Sequence, residues 1–183
     1  MIIVLIKLDV GRIVEGSMAE NRGKQFEQKI KEAFLKIPNV SIDRLPDQMT
    51  GYRGSTNICD FIVYKEPYEY YVECKSVHGA SLPFGNISEN QWQGMLEKSK
   101  IEGVYAGIIC WFIDKDVTRY IPIQALEAMK QDDMKSVNYQ WDNYIASYYI
   151  RNYPIITIPG RKKRVFFDYD MNLFFKEVSK CHN

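Results

Sequence analysis

An α/β fold built on a mixed central sheet is the fold class that this sequence predicts, and three observations predict it. Phe26, Ile30, Ala33 and Phe34 recur at helical spacing near the start. Two strand-rich runs stand in tandem about Pro67, in "DFIVYKEPYEYYVECK" (60–75). A nearly continuous apolar run follows, "GVYAGIICWFI" (103–113), of the kind that suits a strand buried on both faces. Helix, strands, helix and buried strand, in that order, describe a sheet covered by helices.

Taken along the chain, the elements are these. A helix from Asn21 to Leu35 ends at Pro38-Asn39. "VSIDRLP" is a short strand, and "DQMTGYRGSTN" is a loop by its Gly, Thr and Asn content. Strands Ile58–Tyr64 and Tyr70–Ser76 are joined around Lys65-Glu66-Pro67-Tyr68. After the loop "HGASLPFGN", Ser88 is an N-cap for a helix from Glu89 to Ile101, with Gln91 where a capping box wants Glu or Gln. "VTRYIPI" is a further strand and "IQALEAMKQ" a short helix. Residues 136–153 are aromatic and fit neither period. "PIITIPGRKKRVFFDY" reads as a hairpin with a basic tip and "NLFFKEVSK" as a terminal helix.

Bulk properties narrow the function. The 183 residues suit one domain, and 46% hydrophobic residues argue for a packed core. The net charge of +1 provides no global field, so a nucleic-acid partner needs local basic patches. The four cysteines, Cys59, Cys74, Cys110 and Cys181, include no CxxC pair, and only His78 and His182 accompany them, so a structural zinc site is not expected. Three of them lie in strand-like runs and read as buried reduced thiols, which points to a reducing, cytoplasmic setting. The opening apolar run "MIIVLI" is too short to cross a bilayer and has no signal-peptide pattern, so no membrane role is expected. Residues 1–17 read as an extension ahead of a start at Met18, or else as an extra strand. Residues 18–183 read as a single domain.

The acidic positions of the tandem strands carry the chemistry. Strand period two places Glu73 and Lys75 on one face and Cys74 on the other. A hairpin folding about Glu66-Pro67 pairs residues whose numbers sum to 133, which sets Asp60 opposite Glu73. Opposed carboxylates about 5 Å apart repel. A cation between them turns that liability into a site, and oxygen ligands of this type suit Mg²⁺ or Mn²⁺. Such a metal activates water or stabilises charge on a phosphate, and Lys75 beside it can hold the water or neutralise the phosphate. From spacing alone, an ordinary hairpin with a wet charged face fits equally well.

The order of elements resembles the core of the PD-(D/E)xK nucleases, with a restriction-endonuclease-like sheet. Asp60 and Glu73-Cys74-Lys75 match the motif, with Cys59 where the usual proline stands. The segment "SLPFGNISENQWQGM" (81–95) is similar to that following the catalytic strand in RecU-type Holliday junction resolvases, at Ser81, Pro83, Asn86, Gln91 and Met95. "NRGKQFEQKI" resembles the family's first helix at Arg22, Gly23 and Glu27, and "RVFFDYDMNLFFK" is weakly similar to its ending. The resemblance runs over roughly residues 21–176.

That resemblance implies a magnesium-dependent endonuclease, dimeric, acting on branched DNA in recombination and repair. Asp60 and Glu73 would bind metal, Lys75 would position water, Glu27 would approach from the first helix, and Gln91 would lie beside the site on the second. The stalk that such resolvases carry between first helix and hairpin is shorter here, which bears on junction selectivity more than on nuclease chemistry. Without the resemblance, Glu27 is as consistent with a solvated helix face as with a metal role. Two alternatives stand: a restriction- or repair-type nuclease acting on ordinary duplex, and a non-catalytic DNA-binding module.

Candidate phosphate contacts are the cations of "GRKKR", namely Arg161, Lys162, Lys163 and Arg164, together with Arg22, Lys24 and Arg53. His78 reads as a loop polar group. Trp92, Trp111 and Trp141 read as core. The aromatic stretch 139–153 is the expected site of part of a homodimer contact.

Overall fold

A computed structural model describes residues 22–45, 57–140 and 144–179, with the backbone alone described for 144–147. The expected extension 1–17, Arg53, Trp141, Cys181 and His182 lie outside the described residues. Helix α1 (22–35) comes first, followed by strands β1 (Ser41–Arg44), β2 (Phe61–Lys65), β3 (Tyr68–Val77) and β4 (Ser81–Pro83). Next come α2 (Glu89–Lys98), β5 (Val104–Phe112), β6 (Val117–Pro122), α3 (Ile123–Gln131), β7 (Ser136–Asn138) and α4 (Tyr144–Asn152). The chain continues with β8 (Ile156–Thr157), β9 (Gly160–Lys162), β10 (Phe167–Tyr169) and α5 (Asn172–Val178).

Six strands form one sheet in the order β1-β2-β3-β5-β6-β8. The β3–β5 pair is parallel and the other neighbours are antiparallel, so the sheet is mixed, as the sequence predicts. β5 is buried along its whole length because helices cover both its faces. On one face, Phe26, Ile30, Ala33 and Phe34 of α1 pack with Phe174 and Phe175 of α5 against Tyr70, Val72, Ile109 and Trp111. On the other, Trp92 and Met95 of α2 and Leu126 and Met129 of α3 pack against Tyr71, Ala106, Ile108 and Cys110. The aromatic stretch resolves into β7 and α4. Tyr149 of α4 is buried in the α2–α3 layer and donates to Asp132 Oδ2 at 2.5 Å.

The hairpin register is the expected one over its paired length: Phe61 faces Val72 and Lys65 faces Tyr68. Cys59, Cys74 and Cys110 are buried free thiols. Four expectations change. The expected loop 78–86 contains a strand, β4, because Ser81–Pro83 pair with β7. β2 begins at Phe61 and not at residue 58. α2 ends at Lys98, its cap Ser99 turning the chain so that Ile101 lies on the surface, 53% exposed. The late hairpin is shorter than expected, β9–β10 alone, because Ile156 and Thr157 join the edge of the main sheet against β6. Among the described residues no helix is long and apolar enough to cross a membrane.

Candidate active site

β3 needs alternating side chains to fill two covered faces, and Glu73 and Lys75 take the parity of Tyr71 and Val77, toward α2. Glu73 is 3% exposed. Its Oε1 accepts from Lys75 Nζ at 2.7 Å and from Gln91 Nε2 at 2.7 Å. Its Oε2 is buried and has no hydrogen-bond partner. A buried acceptor left so costs about 1–3 kcal/mol, and more when charged.

Gln91 reaches Glu73 because α2 is capped in a particular way. Ser88 Oγ accepts the Gln91 N–H at 3.3 Å, and Gln91 Oε1 accepts the Ser88 N–H at 3.1 Å, closing a capping box. Lys75 Nζ stands 3.5 Å from the same amide oxygen. With its oxygen committed to donors, the amide presents its NH₂ group to the carboxylate. The cap and the site contact are thus two halves of one side chain.

Asp60 stands one residue ahead of β2. The ladder ends at Phe61–Val72, so Asp60 is not paired across from Glu73 as its number suggested. Its backbone N–H donates to Val72 O at 3.1 Å, and its carboxylate Oδ2 accepts the Cys74 N–H at 2.7 Å. Past the end of β2, the β3 backbone finds its partner in a carboxylate instead of a carbonyl. Two contacts from α2 hold this segment. Asn90 Nδ2 donates to Asn57 O at 3.2 Å, and Gly94 lies so close to Ile58 that a Cβ there would sit 2.2 Å from Ile58 Cγ2.

Electrostatics mark the pair as short of positive charge. Burial, reinforced by the charge of Glu73 and then of Glu27, pushes the Asp60 carboxyl up to about 8, against the opposing pull of the Cys74 N–H and Lys75. Burial also raises Glu73, although Lys75 and Gln91 pull it back. Two adjacent carboxylates held above their ordinary range, one with an orphaned buried oxygen, fit a hard divalent cation. Asp60 and Glu73 are the residues that would hold it.

Glu27 approaches from α1, near enough for its charge to raise both carboxyls. Its own carboxylate is taken by Arg44 of β1, Nη2 to Oε2 at 3.1 Å. Among the described residues, no three His, Cys, Asp or Glu side chains gather as a ready cage. The structure therefore brings Asp60, Glu73, Lys75 and Gln91 together and leaves Glu27 one partner away.

The expected phosphate contacts are spread out. Arg22 Nη1 lies 3.0 Å from His78 Nε2, and His78 Nδ1 lies 2.8 Å from Asp114 Oδ1. Arginine only donates, so Nε2 is the acceptor and Nδ1–H donates to Asp114. His78 is thus the loop polar group expected, and it braces Arg22. Lys24 is exposed on α1. Arg161 and Lys162 lie on β9 and Lys163 and Arg164 in the turn beyond it. Lys162 pairs with Asp116. This hairpin packs on the α1 layer, through Trp111–Phe166 and Phe26–Tyr169 ring contacts, and not beside the carboxylates facing α2. Trp92 is core. It is 2% exposed, donates Nε1–H to Glu127 Oε2 at 2.6 Å and lies under Lys130 Nζ at 4.5 Å.

Sequence reasoning missed four contributors: the Cys74 N–H, Arg44, Asn90 and Gly94. Only Gly94 left a signal, a glycine in mid-helix where its propensity cost needs a packing reason.

No protein-family model matches the chain, and no curated protein matches it. Among solved structures, Hjc, a Holliday junction resolvase from the archaeal hyperthermophile Archaeoglobus fulgidus, is similar at 18% identity and a TM-score of 0.47. The match covers 64% of this chain and 88% of that one. A likeness this distant says nothing about chemistry.

Proposed function

We propose that this chain is a metal-dependent DNA endonuclease that cuts branched DNA. The observation that carries the nuclease reading is Glu73, one oxygen doubly satisfied by Lys75 and Gln91, the other buried and unpaired beside the raised carboxyl of Asp60. A structural ion pair would satisfy both oxygens. A binding module has no use for a buried, mutually repelling acidic pair that costs stability.

When bound, Mg²⁺ or Mn²⁺ supplies charge neutralisation at a phosphate and a more acidic water. The chain's own residues supply position. Gln91 fixes the Glu73 carboxylate in one rotamer. Lys75 Nζ, side chain 23% exposed, has three N–H donors, of which Glu73 takes one and the Gln91 amide oxygen, at 3.5 Å, a second, leaving one for a phosphate oxygen or a water. Arg22, braced by His78, can contact phosphate along α1.

Branched DNA as the substrate, and a homodimer as the acting form, rest on the RecU-type resemblance. Two cuts across a symmetric junction are most simply made by two sites about a two-fold axis. Exposed Tyr148 and Ile150 in the aromatic stretch support a contact there. The test is cleavage of a labelled four-way junction beside a linear duplex of the same sequence, with Mg²⁺, Mn²⁺ or EDTA. Faster metal-dependent cutting of the junction is expected. Equal cutting of both would favour the restriction- or repair-type reading, and no cutting with either metal would refute the nuclease.

A further inference from the structure

Helix α1 and the β9–β10 hairpin enclose a cleft of about 530 Å³ on the sheet face opposite the α2 layer. We propose that this cleft holds one unpaired nucleotide of a DNA strand, with phosphate on Lys163 and Arg164 and the base against Phe166 and Phe167. The choice of DNA rests on the reading above; the site itself stands on separate residues.

The volume is within the range of small-molecule clefts. Its charges are unbalanced in a specific way. Lys29 pairs with Glu32 at 2.7 Å, and Lys36 pairs with Asp168 across the cleft from α1 to β10. Lys163 and Arg164, both exposed, have no ion pair among the described residues. The cleft thus offers two cations outside any ion pair, although the charge of Lys163 also reaches Asp168, together with apolar surface from Val165, Phe166 and Phe167.

Those rings are braced from behind. Phe166 packs on Trp111 with centroids 5.4 Å apart, and Phe167 stacks on Tyr169 at 5.7 Å. A ring held in place offers a stacking surface with little rotamer entropy left to lose. Inorganic phosphate would make no use of the rings, and an apolar ligand would make no use of the cations. A nucleotide uses both, and pairs a phosphate with a planar face as single-strand binding sites require. In a duplex each base face is covered by its neighbours, so only an unpaired nucleotide presents one.

The test is binding in EDTA, where cleavage plays no part, so its outcome is separable from that of the nuclease reading. The probe is a labelled single-stranded oligonucleotide with a central 2-aminopurine, beside a blunt duplex and free 2-aminopurine deoxyribonucleoside monophosphate. Wild type is expected to bind the oligonucleotide and quench its 2-aminopurine. Lys163→Ser with Arg164→Ser should weaken that binding about tenfold or more, with a salt slope shallower by about 0.7 for each phosphate no longer neutralised. Phe167→Leu should keep most of the affinity and lose the quench. Val165→Glu, at a residue 54% exposed, leaves the packing intact and should abolish the quench by placing a carboxylate at the mouth. Wild-type quenching in the Val165→Glu protein overturns the proposal. So does an equal loss of duplex and single-strand affinity in the double variant, or binding of the free nucleotide without the oligonucleotide.

Discussion

Gln91 Nε2 donates to Glu73 Oε1 at 2.7 Å while Gln91 Oε1 closes the cap of α2 on Ser88. One side chain therefore joins the start of a helix to a buried carboxylate on the neighbouring strand. Its two jobs are separable by mutation. Ser88→Ala removes the hydroxyl that accepts the Gln91 N–H but keeps the backbone N–H that holds the amide. It should cost about 1 kcal/mol of stability and leave cleavage nearly intact. Gln91→Ala should cost a similar amount and also lower kcat by roughly 10-fold or more, since Glu73 loses a charge-assisted donor. Equal activities for the two variants at equal stability would show that Gln91 serves the helix only.

The carboxylates themselves are the stricter case. Asp60→Asn or Glu73→Gln should reduce metal-dependent cleavage by roughly 10³-fold or more. Metal-free DNA binding should hold near pH 7, where Asp60 already carries its proton, and Asp60→Asn should tighten it only above about pH 8, where the substitution removes a charge that repels phosphate. Cleavage at the wild-type rate by either variant would remove the active-site assignment.

Metal-free stability should depend on pH in a direction opposite to that of an ordinary salt-bridged carboxylate. Asp60 is raised from 3.8 to about 8 in the folded chain. Between those values the unfolded chain has released its proton and the folded chain retains it. Stability is therefore fully present below about pH 4 as far as this group is concerned, and falls as pH rises toward 8. Thermal melts in EDTA at pH 5 and pH 8 should show the drop, of the order of a few kcal/mol. Asp60→Asn should flatten it, and Mg²⁺ at pH 8 should restore it. A melting temperature that climbs from pH 5 to pH 8 through this group would contradict the charge-starved pair.

Gly94→Ala runs against helix propensity arguments. Alanine is the better helix former by about 1 kcal/mol. Here its methyl would collide with Ile58 Cβ at 2.7 Å and Cγ2 at 2.2 Å, atoms near the backbone that cannot swing clear. Net destabilisation of about 1–3 kcal/mol is expected, with a larger loss in kcat than in substrate affinity, because Asp60 lies two residues beyond Ile58. A more stable and fully active variant would mean that α2 and this segment yield freely.

Which side chains share a face was legible in the sequence, because it follows from local geometry. Period two put Glu73 and Lys75 together on β3, and the Pro67 turn set the register of β2 against β3 before any fold was known. The Ser88–Gln91 box followed from spacing in the same way, as did the full burial of β5 from its unbroken apolar run. What the tertiary structure decided is which partner each polar group takes. Asp60 turned from a cross-strand neighbour into an acceptor for Cys74 N–H because β2 starts only at Phe61, one residue past it. Glu27 went to Arg44. The basic hairpin settled on the α1 layer, away from the carboxylates, once Ile156 and Thr157 had joined β6. Backbone periodicity is imposed within a few bonds and admits few solutions, whereas pairing between distant polar groups is chosen among contacts of nearly equal energy by whichever packing brings them within reach.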